Sequence, residues 1–376
     1  MRLDLSLEQK EARQRFRAFV REHIAPYAGQ WDRDHRVPVE AIERVRACGY
    51  LAAPHPQRQG GPLDQITYGL LTEEIGRGCS SVRSLLTVHD MVSLAIWRWG
   101  NAEVKAEFGA GTAAGAILCA LALSEPQAGS DASAVAVEAV ADGEGYRLTG
   151  RKKWVTFGQI ADLFLVLAKC EQQPTAFLVP ADAAGLTRIA MKSVVGTRAS
   201  LLAELVLEGC RVPKHHLIGR IGFGLSHVIG TALDHGRYSV AWGSVGIAQA
   251  CLEASVEYAE ERRQFGRPIA EHQLVQRKLT EMIASTRAAR LLCYHAGYLR
   301  EVQDPGAAAE TSLAKYFASR AAVRAANDAV QIHGANGLTE EYNVERYLRD
   351  AKVTEIIEGS TEIQQTTIPR LRFAEL

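Results

Sequence analysis

Net charge is missing from this chain: 43 Lys and Arg stand against 43 Asp and Glu in 376 residues, so no overall field recruits nucleic acid or an anionic membrane face. Missing too is any apolar run near the roughly 20 residues that span a bilayer, and MRLDLSLEQKEARQRF at the start lacks the apolar segment of an export signal. The expectation is a cytoplasmic protein with no nucleic acid and no membrane among its partners. Cys48, Cys79, Cys119, Cys170, Cys210, Cys251 and Cys293 form no CxxC and no paired spacing, which argues against a cysteine metal site and for reduced core thiols. No internal repeat, low-complexity segment or linker rich in Ser or Pro interrupts the sequence, so its parts are expected to pack as one body. What is present is ordinary: 47% hydrophobic and 23% charged residues exclude disorder and a coiled coil, and the length allows two or three domains at roughly 150 residues each.

Periodicity divides the chain in three. Residues 1–117 read as helices. Ser6 and Gln9 make a capping box, Phe16, Phe19, Val20 and Ile24 form one apolar stripe, and Pro26 ends it. Pro38 and Gly49 bracket a second helix over 38–48. Residues 118–215 read as a β domain, with short apolar runs at 118–123, 164–168, 176–179 and 204–207 and a turn at Asp142-Gly143-Glu144-Gly145. Residues 216–376 return to a helical period in long proline-free stretches, as in a bundle of antiparallel helices.

Four constellations carry chemistry. Leu121-Ala-Leu-Ser-Glu-Pro-Gln-Ala-Gly-Ser-Asp131 leaves a strand into a loop of small residues, where backbone amides and the hydroxyls of Ser124 and Ser130 can approach a flat polar ligand. An ordinary strand–loop joint reads the same. In Gly150-Arg-Lys-Lys-Trp-Val-Thr-Phe-Gly158, Trp154 and Thr156 stand two apart and so share one strand face, an aromatic plane beside a hydroxyl, or simply a core tryptophan. Tyr258-Ala-Glu-Glu-Arg-Arg-Gln-Phe-Gly266, followed by Pro268 and His272-Gln273, places Arg262 at a helix end where its fork can hold a phosphate, although a solvated charge run has the same composition. The fourth comprises Gln331-Ile-His-Gly-Ala-Asn-Gly337, Arg346-Tyr-Leu-Arg-Asp350 and Ile356-Ile-Glu-Gly-Ser-Thr-Glu-Ile-Gln364. Within it Glu358 follows two isoleucines, which suits either a general base raised by desolvation or a helix-end acid. The tandem His215-His216 has no acid near it in sequence and reads as surface.

In order, spacing and type these four match the acyl-CoA dehydrogenase family over nearly the whole chain, and the sequence resembles that family closely. The resemblance implies an α+β fold with an N-terminal helical domain, a central β domain and a C-terminal four-helix bundle. It implies FAD as cofactor, with Leu121, Leu123, Ser124, Ser130, Trp154 and Thr156 around the isoalloxazine. Arg262, Gln264, His272 and Gln273 match positions that hold the FAD diphosphate of a neighbouring subunit, and Gln331, Gly334, Ser360 and Glu362 match further FAD contacts. A homodimer or homotetramer is implied with them. Glu358 falls on the family's catalytic base, which takes the α-proton of an acyl thioester while the β-hydrogen passes as hydride to flavin N5. Arg237 takes a supporting catalytic role. The other position some members use for the base is here Gly236, which cannot serve. Two departures stand out: Phe157 where the family usually has Asn after the Thr, and Ala335 where it has a second glycine. No metal is implied, and no Gly-rich dinucleotide fingerprint occurs.

For the substrate, general resemblance favours the branch that acts on acyl groups held by an acyl carrier protein in polyketide extender-unit biosynthesis, of the hydroxymalonyl or methoxymalonyl kind. A catabolic short or branched-chain acyl-CoA dehydrogenase is the alternative. A flavin oxidase or monooxygenase on the same fold is a further one, disfavoured by the presence of Glu358. The electron acceptor is accordingly a flavoprotein or oxygen.

Overall fold

The computed structural model describes residues 4–373. The chain opens with α1 (Leu7–His23), α2 (Ala28–Arg33), α3 (Val39–Ala47), α4 (Gln65–Gly78), α5 (Ser80–Trp99), α6 (Ala102–Val104) and α7 (Ala110–Ala113). Local chemistry starts α1: Gln9 N donates to Ser6 Oγ and Ser6 N to Gln9 Oε1, both at 3.1 Å, a cap that contributes about 1 kcal/mol. Its stripe of Phe16, Phe19, Val20 and Ile24 is buried. Pro38 caps α3 from outside, so this helix is one residue shorter at each end than its sequence suggests, and Gly49 comes next at φ +65°.

Strands β1 (Cys119–Ala122), β2 (Glu138–Asp142), β3 (Gly145–Val155), β4 (Leu163–Cys170), β5 (Gln173–Pro180), β6 (Leu186–Ala190), β7 (Ala203–Pro213) and β8 (Leu217–Ile218) make one mixed sheet. Its order is β6-β7-β3-β2-β4-β5-β8, with β1 parallel to β4. The expected apolar runs at 164–168, 176–179 and 204–207 fall in strands and that at 118–123 contains β1 with one residue over at each end, and Gly143-Glu144 closes a two-residue hairpin between β2 and β3. Flanked on both edges, β4 reads as an unbroken buried run from Leu163 to Ala168.

The bundle comprises α8 (Gly230–Glu261), α9 (Gln273–Glu301), α10 (Ala307–His333), α11 (Val344–Ile356) and α12 (Thr361–Phe373). A small hairpin of β9 (Arg263–Gln264) and β10 (Arg267–Pro268) separates α8 from α9. One core draws on α1, α3, α4, α5, α8, α9 and α10 together with Phe157 and Leu201, so the N-terminal helices and the bundle share a single interior. At its centre α4 crosses α8 backbone to backbone. A Cβ built on Gly76 would stand 2.8 Å from the Gly243 Cα, and one on Gly246 would stand 2.2 Å from the Glu73 carbonyl oxygen.

Three expectations are corrected. His216 is buried, not on the surface: the fold brings Glu107 to its Nε2 at 3.3 Å and to His215 Nε2 at 3.0 Å, across more than one hundred residues of sequence. The ligand atoms of these three side chains lie within 4.8 Å of one another, a cluster spaced for a cation that the sequence reading missed. Cys48 is exposed, whereas the other six thiols are buried and all seven are free. Trp154 and Thr156 do not share a strand face, because β3 ends at Val155 and its register with β7 slips between Lys152 and Val155. Trp154 takes φ +64° in that bulge and Thr156 lies in the turn beyond it.

Candidate active site

The N-terminal helices and the β domain together fix α11, the helix that delivers Glu358. Arg349 grips Asp32 at 2.6 and 3.2 Å and Glu345 at 2.7 Å. Asp350 accepts the Thr197 N–H of the β domain at 2.6 Å, and Arg346 reaches the Gly78 carbonyl at 3.4 Å. The Arg346–Asp350 motif therefore anchors the helix and the turn at its C-terminal end.

Just past α11, Glu358 adopts φ +55° and Gly359 φ +89°. Positive φ turns the chain sharply and carries the Glu358 side chain against α8. The residue is partly exposed, but its Oε2 is shut from solvent with no hydrogen-bond partner. A Cβ on Gly236 would lie 2.4 Å from that oxygen and 2.9 Å from Met91 Sδ, so the glycine of α8 makes room for the acid. Burial pushes the Glu358 carboxyl up to about 7, against the opposing pull of Arg237, Arg83 and Lys315. Arg237 Nε donates to the Glu358 carbonyl at 3.3 Å and Lys315 Nζ to the Gly359 carbonyl at 2.6 Å; Gln364 Nε2 bonds both carbonyls. Lys315 is itself held down to about 8 by burial. The turn that carries the acid is thus held by its own backbone oxygens.

A cleft of about 620 Å³ lies between the end of α5 and the start of α8. Trp97, Trp99, His227, Asp234, His235 and Arg300 are among its walls. Arg300 donates to Asp234 at 2.5 Å, and Tyr68 links Asp90 and His235 at 2.9 Å each. The cleft follows α8 as far as His235, the residue before Gly236.

On the β domain the first two constellations are bound together. Lys153 N donates to the Ser124 carbonyl at 2.8 Å, and Lys152 Nζ bonds the Leu123 carbonyl at 2.9 Å and Glu125 Oε1 at 2.7 Å. This Lys152–Glu125 pair is sealed from solvent, and Glu125 also accepts the N–H groups of Ala136 and Val137. Burial drags the Lys152 amine down to about 8, with Glu125 opposing. Neither residue was singled out from sequence, although charged side chains inside an apolar strand motif were the available signal. Leu121 and Leu123 lie half-buried in and just after β1, Ser124 beside them, while Ser130 is exposed in the loop. The Trp154 side chain is 52% exposed. Phe157, the departure from the family pattern, turns its ring into the core and gives its N–H to Ser200.

The third and fourth constellations also meet. Arg262 caps the end of α8, and Gln264, His272 and Gln273 cluster around the hairpin, where His272 Nε2 lies 3.2 Å from the Gln264 carbonyl. Tyr258 stacks on His333 at 4.2 Å and accepts Asn336 Nδ2 at 3.0 Å, joining this cluster to Gln331 and Gly334 at the end of α10. Gly334 takes φ +60°, with open space around the position a Cβ would take. Ser360 Oγ accepts from Ile363 N as α12 begins, and the exposed Glu362 carboxyl lies below its ordinary value because backbone and Ser360 donors favour its charge. Phe265 at the hairpin tip is 95% exposed.

A desolvated carboxylate set near neutrality, in a chain whose β domain offers an exposed aromatic plane and hydroxyls, suits a flavin-dependent oxidoreductase that abstracts a proton from carbon. Comparison with known proteins gives the same class. The N-terminal, middle and C-terminal domain models of acyl-CoA dehydrogenase match residues 6–116, 120–210 and 222–371. A probable acyl-CoA dehydrogenase of Bacillus subtilis, YngJ, is 38% identical over 98% of this chain and 99% of its own. Butyryl-CoA dehydrogenase from Megasphaera elsdenii is similar at TM-score 0.95 and 31% identity, over 99% of this chain and all of that one. FkbI, solved for its part in biosynthesis of the methoxymalonyl extender unit of the Fk520 polyketide, is similar at TM-score 0.87 and 33% identity, over 96% and 99% of the two chains. The chain belongs to the acyl-CoA dehydrogenase family, FAD-dependent oxidoreductases that act on CH–CH groups. The donors found here fit FAD: an exposed tryptophan plane, the Ser124 and Thr156 hydroxyls, and Arg262, which makes no ion pair among the described residues. No helix of the described residues is long and apolar enough to cross a membrane.

Proposed function

We propose that the protein dehydrogenates an acyl thioester at its α and β carbons, with Glu358 as the base. The observation that carries this is the Glu358 carboxylate, buried, without a hydrogen-bond donor on Oε2, and poised near neutral pH. An acid so placed holds no competing bond that must break before it accepts the α-proton. FAD, when bound, supplies the acceptor for the β-hydrogen, taken as hydride. Trp154, Thr156, Ser124, Leu121, Leu123 and Ser130 would hold its ring system. Arg262, Gln264, His272 and Gln273 would hold the FAD diphosphate of a neighbouring subunit, with Gln331, Gly334, Ser360 and Glu362 as further FAD contacts, and the bare Phe265 at the hairpin tip supports such an oligomer. The Glu358 N–H, one residue beyond the last α11 bond from Ile357 to Val353, polarises the thioester carbonyl. Arg237 keeps the turn in place through the Glu358 carbonyl.

For the carrier, the likeness to FkbI supports an acyl group tethered to an acyl carrier protein in extender-unit formation, and the likeness to YngJ and butyryl-CoA dehydrogenase supports coenzyme A. Exposed Arg98 and Arg220 stand near the cleft, over Trp99 and Phe223. Both carriers are anionic there, so the discriminating measurement is single-turnover flavin reduction with one acyl group on each carrier across a salt series. Docking of an acidic protein loses rate with salt. Faster reduction by the CoA thioester, with no salt response for the carrier protein, would establish the catabolic reading instead. An electron-transferring flavoprotein or oxygen then reoxidises the enzyme.

A further inference from the structure

Glu107, His215 and His216 have no part in the proposed chemistry, yet the fold brings them together from two domains. Glu107 stands on a π-helical turn (Lys105–Gly109) that follows α6, and the two histidines lie in a 3₁₀ turn (Lys214–His216) between β7 and β8. Glu107 Oε2 lies 3.0 Å from His215 Nε2 and 3.3 Å from His216 Nε2, so two imidazoles converge on one oxygen. Behind them the rings are placed by their other nitrogens. His216 Nδ1 lies 3.2 Å from the Leu178 carbonyl of β5, and His215 Nδ1 faces the Glu103 carboxylate at 3.9 Å. Asn101 Nδ2 donates to the His215 carbonyl at 2.8 Å, which pins the histidine turn to the segment that carries Glu107.

Hydrogen atoms decide what this arrangement is for. His216 is 2% exposed, with Phe108 edge-on to its ring at 5.3 Å, and both of its nitrogens face acceptors. A neutral imidazole carries one N–H, so whichever nitrogen bears it, the other turns a lone pair on a carbonyl or a carboxylate. An imidazolium would satisfy both. Burial nevertheless pushes the ring below its ordinary value even with Glu107 in contact, and the His215 ring, edge-on at 4.6 Å, adds to the fall. A cation where the three side chains meet removes the conflict. His216 then gives its Nδ1–H to Leu178 and its Nε2 lone pair to the ion, while His215 points Nδ1–H toward Glu103 and Nε2 inward. Histidines fixed through the far nitrogen by a carbonyl or carboxylate are the usual support of a metal site.

We infer that Glu107, His215 and His216 bind a zinc ion that ties the N-terminal helices to the β domain. Two imidazole nitrogens and one carboxylate oxygen suit zinc, whereas calcium and magnesium take oxygen ligands. Spacing agrees with the ligand types. Bonds of about 2.0–2.1 Å at a tetrahedral angle set neighbouring ligand atoms about 3.3 Å apart. The separations from Glu107 are 3.0 and 3.3 Å, and all three ligand atoms lie within 4.8 Å of one another. Glu107 is exposed and His215 half-buried, so water completes the coordination from the solvent side. With Glu103 behind His215, two acids match the charge of the ion. Its role is structural: it closes a link between residues 108 apart in sequence, and it stabilises the folded chain by binding that state over the unfolded one.

The test uses FAD-loaded protein stripped with a chelator and dialysed against Zn²⁺ in the presence of millimolar Mg²⁺, with bound zinc measured by elemental analysis. Parent, Glu107→Ala and His215→Ala are compared. The seven free thiols take up zinc alike in all three proteins, so the difference between them counts this site. The parent is expected to hold one zinc per chain more than either variant, whose affinity at the site falls about 10²-fold or more. At roughly a hundredfold excess of Zn²⁺ over its Kd, the melting temperature of the parent should rise by about 3 °C and that of the variants should not. The parent's own thermal shift needs neither variant to fold. Equal zinc content in parent and variants, displacement of the zinc by Mg²⁺, or a parent whose melting temperature zinc leaves unchanged overturns the inference. None of these readouts passes through flavin reduction, so the result is independent of the dehydrogenase reading.

Discussion

Carrying the holoenzyme from pH 8 to pH 6 in a stopped-flow reductive half-reaction should slow flavin reduction about tenfold. Burial holds the Glu358 carboxyl at about 7, so roughly 90% is ionised at the higher pH and roughly 10% at the lower. Only the ionised form accepts the α-proton, and at pH 7 Glu358→Gln should cost about 10²–10⁴-fold because no second base lies on α8 at Gly236. An α-deuterated substrate keeps the measured step on proton removal. The same displacement has a stability consequence of definite sign. Unfolded, the acid ionises near its ordinary 4.5; folded, it does so near 7. Between these values the folded chain holds a proton that the unfolded chain has lost, so stability declines as pH rises through that window and levels above it. At about 1.4 kcal/mol per pH unit the decline approaches ~3 kcal/mol, and Glu358→Gln escapes it. The variant should therefore match the parent in denaturant stability near pH 4.5 and exceed it by up to ~3 kcal/mol at pH 8. A reduction rate flat from pH 6 to 8, together with a stability difference that does not change with pH, would refute the argument from burial.

Other substitutions probe the remaining geometry. Arg262→Ala should weaken flavin retention through loss of a charge-assisted diphosphate contact, and equal FAD content after exhaustive dialysis of both proteins would reject that role. Lys152→Met should lower the unfolding free energy by about 3 kcal/mol or more, since Glu125 is left as an unpaired buried anion; parent-like thermal stability would show that its two backbone donors suffice. Gly236→Ala should displace the Glu358 carboxylate that occupies the space of the new methyl, cutting the reduction rate with FAD content unchanged, and a parental rate would mean that the acid reacts from elsewhere.

How far the sequence was legible depends on the distance over which each feature is decided. The α1 capping box and the hairpin at Gly143-Glu144 are local events and were readable from neighbouring residues. Glu358 was readable because its isoleucines and glycine are adjacent to it. The slip in β3 that swings Trp154 out was not, because strand alternation assumes an unbroken register. Nor was the pairing of Lys152 with Glu125, 27 residues apart, or of Glu107 with His216, 109 apart; each needs the sheet to exist before its partners meet. Arg83 is the subtler case. A cation was visible in Ser80–Trp99, but its burial and the Glu358 charge that acts on it are set by the folded surroundings.

The crossing of α4 and α8 at Gly76 and Gly243 has a bearing on how such a protein can be altered. Where two main chains touch, no rotamer can relax and no side chain can be exchanged, so the contact acts as a fixed pivot. Along α8 the pivot lies seven residues, about 10 Å, from Gly236. An exchange in the packed contact of Thr87 with Ser239, between α5 and α8, leaves that pivot where it is. The base is in this sense referenced to main chain, so the packing beside it can be changed by side-chain exchange without moving α8 itself.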